Sequence, residues 1–438
     1  MTQSASWGRW PRHEQSIVPL YSRFDALPDA APMLPYGNGR SYGDVCQNAG
    51  GTLLDTRALD RFIAFDDERG ILDCEAGVLL SQIIDCLAPR GWFPAVTPGT
   101  AFVTVGGAIA NDVHGKNHHR AGTFGHHVLG FELLRSDGQV LQCSAHQGAE
   151  WFAATLGGLG LTGLIRRARL QLRRIDSPWI AGDSQRFATL EEFFALSAAS
   201  DAGHEYTVAW LDCASGGARL GRGVFLRGNH AAAGSAGPTA VPRPWRLAVT
   251  PPVSPINGLT VRTFNELYFR RRGAQRQSAL WHYGRFLYPL DGVRDWNRMY
   301  GPRGFFQYQC VLPEPDAHAA LRAMLQRIAH SGQGSFLTVL KQFGDRPSLG
   351  LLSFPRPGVT LALDFPNRGA DTLGLLDALD AITRAAGGAV YPAKDARMSA
   401  AAFRQYFPAW AQLAQYVDPK FSSSFWRRVT AEPACNAS

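Results

Sequence analysis

Residues 106–128, GGAIANDVHGKNHHRAGTFGHHV, place five glycines and five histidines in 23 positions of a chain with twelve histidines. Three chemistries use such a stretch. Imidazoles ligate metals, and His114 and His118, four residues apart, would share one face of a helix. Glycine N–H groups, free of Cβ, converge into nests for phosphate oxygens. A histidine also titrates near neutral pH and can move a proton. Gly115 and Asn117 form helix poorly and there is no HExxH pattern, which weakens the metal reading. No bound metal is expected. A zinc-dependent hydrolase using the 114–127 histidines stands as the non-flavin alternative.

A second glycine-rich stretch, Tyr36-Gly-Asn-Gly-Arg-Ser-Tyr-Gly-Asp44, offers a phosphate nest of its own. A third, Gly158-Leu-Gly-Leu-Thr-Gly163, matches the dinucleotide pattern GxGxxG. That fingerprint needs a strand before it and a helix after it. Here the helix-like EWFAATL precedes and a strand follows, so these glycines read as a tight turn.

These residues need elements to position them. Leu80, Ile83, Ile84 and Leu87 have helical spacing, closed by Pro89 and Gly91. Residues 128–143 alternate as two strands around Asp137-Gly138. In LIRRARLQLRRI, Ala168, Leu170 and Leu172 oppose Arg167, Arg169, Gln171 and Arg173, the pattern of a half-exposed strand. Residues 305–391 run β-α-β-β-α-β, which predicts a largely antiparallel sheet with helices on one face. Alternation puts Phe306, Tyr308, Cys310 and Leu312 on one face and Gln307 and Gln309 on the other. Thr360, Ala362 and Asp364 oppose Leu361, Leu363 and Phe365. The polar face is expected to meet a polar cavity. Lys341 shares a face with Leu337 and Val339, and pattern alone leaves its side open.

Residues 228–258 have no period and read as a long loop. Trp245, Leu247 and Val249 beside Arg243 and Arg246 suit a lid or a membrane-contacting segment. The net charge of +8 suits an anionic partner. Basic clusters such as Arg270-Arg271-Arg272 are short and no nucleic-acid motif is present, so nucleic acid is not expected. Seven cysteines without regular spacing predict reduced, mostly buried thiols of a cytoplasmic protein. The N-terminus lacks a signal-peptide core, and no stretch reaches the length of an apolar membrane span.

GNGRSYGD, TPGTAFVTVGGAIANDVHGKNHHRAGTFGHHV, GLGLTGLI and VYPAKDAR together resemble the flavoprotein oxidases of the vanillyl-alcohol-oxidase type. Within them, the HGKNHH string is similar to the branch that oxidises polyprenylphosphoryl-β-D-ribose. The likeness runs from about residue 30 to 420 and is looser over 178–300. It implies an α+β protein of two domains. Residues 1–177 with 389–438 would bind FAD, and 178–388 would form a substrate domain with a mainly antiparallel sheet.

The resemblance implies FAD contacts at Gly37, Asn38, Gly39, Arg40, Ser41, Tyr42, Gly43 and Asp44. It adds Gly99, Thr104, Val105, Gly106, Gly107, Asn111, His114, Ile165 and Tyr391. Arg40 stands where covalently flavinylated relatives carry histidine, which implies non-covalent FAD. Lys394 matches the lysine beside flavin and substrate. His114, Tyr42 and Lys394 are rival candidates for the base, and the residues do not rank them. Lys116, Trp210, Gln307, Gln309, Lys341, Thr360 and Ala362 match substrate-pocket positions. Three departures concern the pocket: Ala362 replaces a cysteine, Thr360 an asparagine and Leu287 a tyrosine. The implied reaction is oxidation of a sugar secondary hydroxyl, the 2′-OH of a polyprenylphosphoryl-β-D-ribose, as the first half of an epimerisation. A free sugar alcohol or aldonolactone is the alternative substrate. A short-chain reductase partner and peripheral contact with a membrane complete the expectation.

Overall fold

The computed structural model describes residues 6–235, 237, 244–272 and 276–431. Two antiparallel sheets carry the architecture. One has six strands: Phe62–Asp66, Ile71–Glu75, Leu164–Arg174, Val128–Leu134 and Val140–Cys143 in that order, with Trp92–Pro94 also pairing Leu164–Arg174. Its apolar face closes on helix Leu80–Leu87 and the short helix Val105–Ala110. Ala168, Leu170 and Leu172 are buried there, while Arg167 and Arg173 look outward and pair with Asp73 and Glu205. A small parallel sheet sets Thr52–Asp55 between Ser16–Pro19 and Met33–Tyr36. It launches the first glycine loop.

The other large sheet has eight strands. Gln277–His282, Trp179–Phe187, Gly223–His230 and Tyr206–Leu211 lead into Val339–Phe343, Gly358–Pro366, Phe305–Leu312 and Ala389–Val390. The last four strands, with helices Ala317–Ser331 and Ala370–Ala385, are the expected β-α-β-β-α-β unit. Both helices lie on one face. Leu321, Met324, Leu325 and Ile328 of the first, and Leu375, Leu376 and Leu379 of the second, share a core with Tyr308, Cys310, Leu361 and Leu363. Burying each of these side chains contributes about 1.5–3 kcal/mol. Cutting Leu361 to Ala would cost about 2–5 kcal/mol. Gly332 ends the first helix at φ +67°, a left-handed turn that suits glycine.

The strands' other face is polar and meets a cleft, as the alternation predicts. Gln307, Gln309, Thr360 and Ala362 line it. So do Leu337, Val339 and Lys341, which answers the question of facing that pattern left open.

Two expectations change in detail. Within 228–258 the chain is not wholly irregular: Trp245–Arg246 pairs in parallel with Val293–Arg294. Arg243 lies outside the described residues. Among the described cysteines none is paired, and Cys74, Cys143, Cys213 and Cys310 are buried while Cys86 is exposed. Cys435 also lies outside the described residues. No helix among the described residues is long and apolar enough to cross a membrane.

Candidate active site

The two glycine stretches meet across one wall of the cleft, whose volume is about 540 Å³, within the usual size range of small-molecule sites. Strand Met33–Tyr36 runs into Gly37–Asp44, where Gly39 takes φ +59°. Asn38 Nδ2 donates to Phe102 O at 2.7 Å and pins the loop. Thr104 caps helix Val105–Ala110, its Oγ1 accepting from Gly107 N at 3.1 Å. A Cβ on Gly37 would lie 2.4 Å from Thr104 Oγ1, so glycine there lets the two stretches touch. Gly106 has a different reason to be glycine: its added Cβ would press on Ala76 at 3.1 Å.

This wall fits FAD. Among the described residues the hydrogen bonds use none of the backbone N–H groups of Asn38–Ser41, which leaves donors for an anion. Arg40 Nε and Asn111 Oδ1 are buried without a partner, the condition that a bound polar group relieves. The Arg40 guanidinium sits 4.1 Å from the Trp7 ring centre and 5.4 Å from that of Phe102.

Lys394, Tyr42 and His114 line the same cleft. Lys394 ends the turn Pro392–Lys394, and its Nζ lies 4.0 Å above the Tyr42 ring. Tyr42 N donates to Ala393 O at 2.9 Å, which ties the two segments together. Burial pulls the Lys394 ammonium down to about 8, against the pull of Asp364, which raises it. Burial, then the Asp364 charge, holds the Tyr42 phenol well above its usual value.

Asp364 is the residue that motif matching missed. It is 1% exposed, and its Oδ1 accepts from Gln307 Nε2 at 2.7 Å while Oδ2 has no partner. Burial pushes its carboxyl up to about 7. The signal was present: Asp364 alternates in step with Thr360 and Ala362.

His114 sits deeper, boxed by the rings of Phe343, Tyr391 and Phe354. Lys341 Nζ is 3.2 Å from Nδ1, and the Gln309 amide is 3.0 Å from Nε2. The Gln309 amide nitrogen only donates, so Nε2 accepts from it. The same Gln309 nitrogen donates to Thr360 Oγ1 at 3.2 Å. Burial, then the Lys341 charge, holds the imidazole well below its usual pKa. Lys341 itself is drawn down to about 7 by burial, with Lys116 and Lys394 adding to the effect.

The cleft brings together the glycines 37, 39, 99, 106 and 107 with Asn38, Arg40, Ser41, Tyr42, Thr104, Asn111, His114, Ile165 and Tyr391. It adds Gln307, Gln309, Lys341, Thr360, Ala362 and Lys394. Five expected residues are not on its wall. Gly43 packs on the Asp395 carbonyl, with no room for a Cβ. Asp44 is buried and paired with Arg428 at 2.7 Å. The Val105 side chain belongs to the core behind the wall. Lys116 donates to Phe286 O, and burial lowers it to about 7. Trp210 donates to Phe336 O and stacks near Tyr268. Leu159 and Gly160, read as a plain turn, do line the cleft. Arg246, from the segment read as a lid or membrane contact, lines it too, with Asp291, Arg294 and Asp295, which no local signal marked.

The five histidines have separate partners. His118 Nδ1 accepts from Gly344 N, His119 meets His204 O, His126 meets Pro347 O and His127 meets Ala121 O. Among the described residues no group of three or more His, Cys, Asp or Glu is placed to hold a metal ion.

Comparison with known proteins agrees with this site. The FAD binding domain family matches residues 15–144. The chain is 38% identical over 409 residues to the decaprenylphosphoryl-β-D-ribose oxidase of Mycolicibacterium smegmatis, covering 90% of this chain and 88% of that one. It is 35% identical to a protein of Streptomyces coelicolor described as uncharacterized, covering 80% of this chain and all of that one. Cytokinin dehydrogenase 2 of Arabidopsis thaliana is 28% identical over 39% of this chain and 34% of its own. The chain therefore belongs to the decaprenylphosphoryl-β-D-ribose oxidase family of FAD-dependent oxidoreductases, of the vanillyl-alcohol-oxidase type.

Proposed function

We propose that the protein oxidises the 2′-hydroxyl of a polyprenylphosphoryl-β-D-ribose to the 2′-keto sugar. The observation that carries this is the pairing, in one cleft, of a flavin wall with the buried amines of Lys341 and Lys394. A phosphodiester supplies the negative charge that such amines lack. The M. smegmatis relative is named for this class of substrate.

FAD, when bound, supplies the two-electron acceptor. The chain's own residues do the rest. Lys394 Nζ, spending time neutral near pH 8, takes the hydroxyl proton of the sugar. Tyr42 carries Lys394 on its ring face and fixes its height above the floor. Gln307 and Gln309 orient the sugar hydroxyls. Lys341 faces the phosphate, and His114, bonded on both ring nitrogens, holds Lys341 in place. His114 is thus a positioning residue rather than the base.

The same reading includes non-covalent FAD, because arginine at position 40 cannot form the histidyl bond. It divides the chain into a flavin-binding part, 1–177 with 389–438, and a substrate-binding part, 178–388. It also includes a short-chain reductase that consumes the keto sugar, and contact with a membrane surface where the lipid-linked sugar resides. Incubating the FAD-loaded protein with a polyprenylphosphoryl ribose and an electron acceptor should yield a product lighter by two hydrogens. Borohydride in deuterated form should then label it at C2′. Acid precipitation should release the FAD; yellow colour kept by the precipitate would refute the non-covalent reading.

A further inference from the structure

Half of the large apolar side chains that are exposed among the described residues fall within residues 245–267: Trp245, Val249, Val253, Leu259, Phe264 and Leu267. Leu259 and Leu267 are 76% and 65% exposed. Isolated exposed leucines need no explanation, but a concentration of this kind marks a binding surface.

The helix Gly258–Arg271 organises much of it. Asn257 caps the helix through Leu259 N and Thr260 N. Its buried side, Val261, joins Tyr42, Trp296 and Phe305 in one cluster, which places the helix directly behind the catalytic wall. Tyr268 packs on Trp210, and Phe264 on Phe336, whose neighbour Leu337 lines the cleft. The opposite side presents Leu259 and Leu267 to solvent, with Arg262, Arg270 and Arg271 around them. The one acid of the helix, Glu266, is already engaged by Arg222 and Arg270. Trp245 is 57% exposed and pairs with Val293, and the next pair, Arg246 opposite Arg294, lines the cleft. The surface is apolar and cationic, and at Arg246 it reaches the cleft.

We propose that helix Gly258–Arg271, with the segment 245–253, docks the enzyme on an anionic phospholipid surface and presents the cleft to it. The proposal rests on the lipid-linked substrate reading and names the surface that meets the lipid. Leucines between arginines are the composition of a helix that lies in a bilayer interface. Each arginine near an anionic surface adds attraction that salt screens.

The test is flotation of the FAD-loaded full chain with vesicles, in the absence of sugar substrate. Vesicles of equimolar phosphatidylglycerol and phosphatidylcholine should carry the protein, and raised salt should weaken this. Pure phosphatidylcholine vesicles should carry about tenfold less or lower still. The double variant Leu259→Asp/Leu267→Asp should lose about tenfold or more of the binding while keeping flavin absorbance. Arg262→Glu/Arg271→Glu should behave alike, and its substitutions leave the apolar side chains in place. Absence of wild-type flotation, or flotation of both variants at the wild-type level, would overturn the proposal. Docking by the variants onto a protein partner at reduced strength, with flotation intact, would overturn it as well. Because no sugar is present, failure here leaves the substrate reading standing, and failure of the sugar to reduce the flavin leaves flotation unexplained by that reading but intact.

Discussion

Lys341 Nζ and His114 Nδ1, 227 residues apart in the chain, lie 3.2 Å from each other inside the cleft. Burial and the Lys341 charge keep the imidazole neutral, and with Gln309 on Nε2 both ring nitrogens are engaged, which removes His114 as the proton acceptor. The kcat/KM profile should therefore show no ionisation belonging to His114. His114→Asn should keep the shape of the pH profile and raise KM by about tenfold, through a misplaced Lys341. A pH limb that vanishes in this variant would return the role of base to His114.

Lys394 should be indispensable to flavin reduction. Lys394→Ala should retain FAD and slow substrate-driven reduction by about 10²–10³-fold. Anaerobic stopped-flow absorbance reads both. Wild-type reduction rates in the variant would remove Lys394 from the chemistry.

Asp364 raises the Lys394 pKa, so its removal should lower it. The wild-type kcat/KM should climb with pH on a limb near 8. In Asp364→Asn that limb should move to lower pH while flavin content stays unchanged. The amide still accepts from Gln307, so a merely structural role predicts no displacement of the limb.

Much of this site was legible beforehand, and the reasons differ by residue. Gln307, Gln309, Thr360 and Ala362 follow from strand period alone, because successive side chains alternate between core and cleft. The two glycine loops were readable because close backbone approach excludes a Cβ, as at Gly37. Asp364 shares the same alternation but stands behind Gln307, where a motif match carries no role for it. Lys116 shows what sequence proximity leaves out. It follows His114 by two residues, yet its amine turns to Phe286 O on another segment, a pairing that only tertiary structure creates. Asp291 and Arg294 were hidden for the same reason: only tertiary structure brings them to the cleft.

Gly37→Ala should weaken FAD binding. The added methyl meets Thr104 Oγ1 at 2.4 Å, and overpacking of this kind costs about 1–3 kcal/mol, or about 30-fold in affinity for the middle of that range. Gly374→Ala is the control: its Cβ meets nothing within 4 Å on helix Ala370–Ala385. That change should stabilise the fold by about 0.5–1 kcal/mol and leave FAD content as it was.

Acid should destabilise the fold through its buried histidines. Burial, then the Lys341 charge, holds His118 down at about 3, against an ordinary value of 6.5. The unfolded chain binds the proton first as pH falls, so stability is full above about 6.5 and declines below it. The slope is at most about 1.4 kcal/mol per pH unit for this residue. Urea midpoints between pH 7.5 and 5 should fall less steeply in His118→Gln than in the wild type.

The most direct measurement is anaerobic titration of the FAD-loaded protein, followed by the flavin absorbance band. A polyprenylphosphoryl-β-D-ribose should bleach the flavin stoichiometrically, and free sugar alcohols and aldonolactones should not. Bleaching by a free sugar or lactone with an unreactive polyprenylphosphoryl ribose would contradict the assignment.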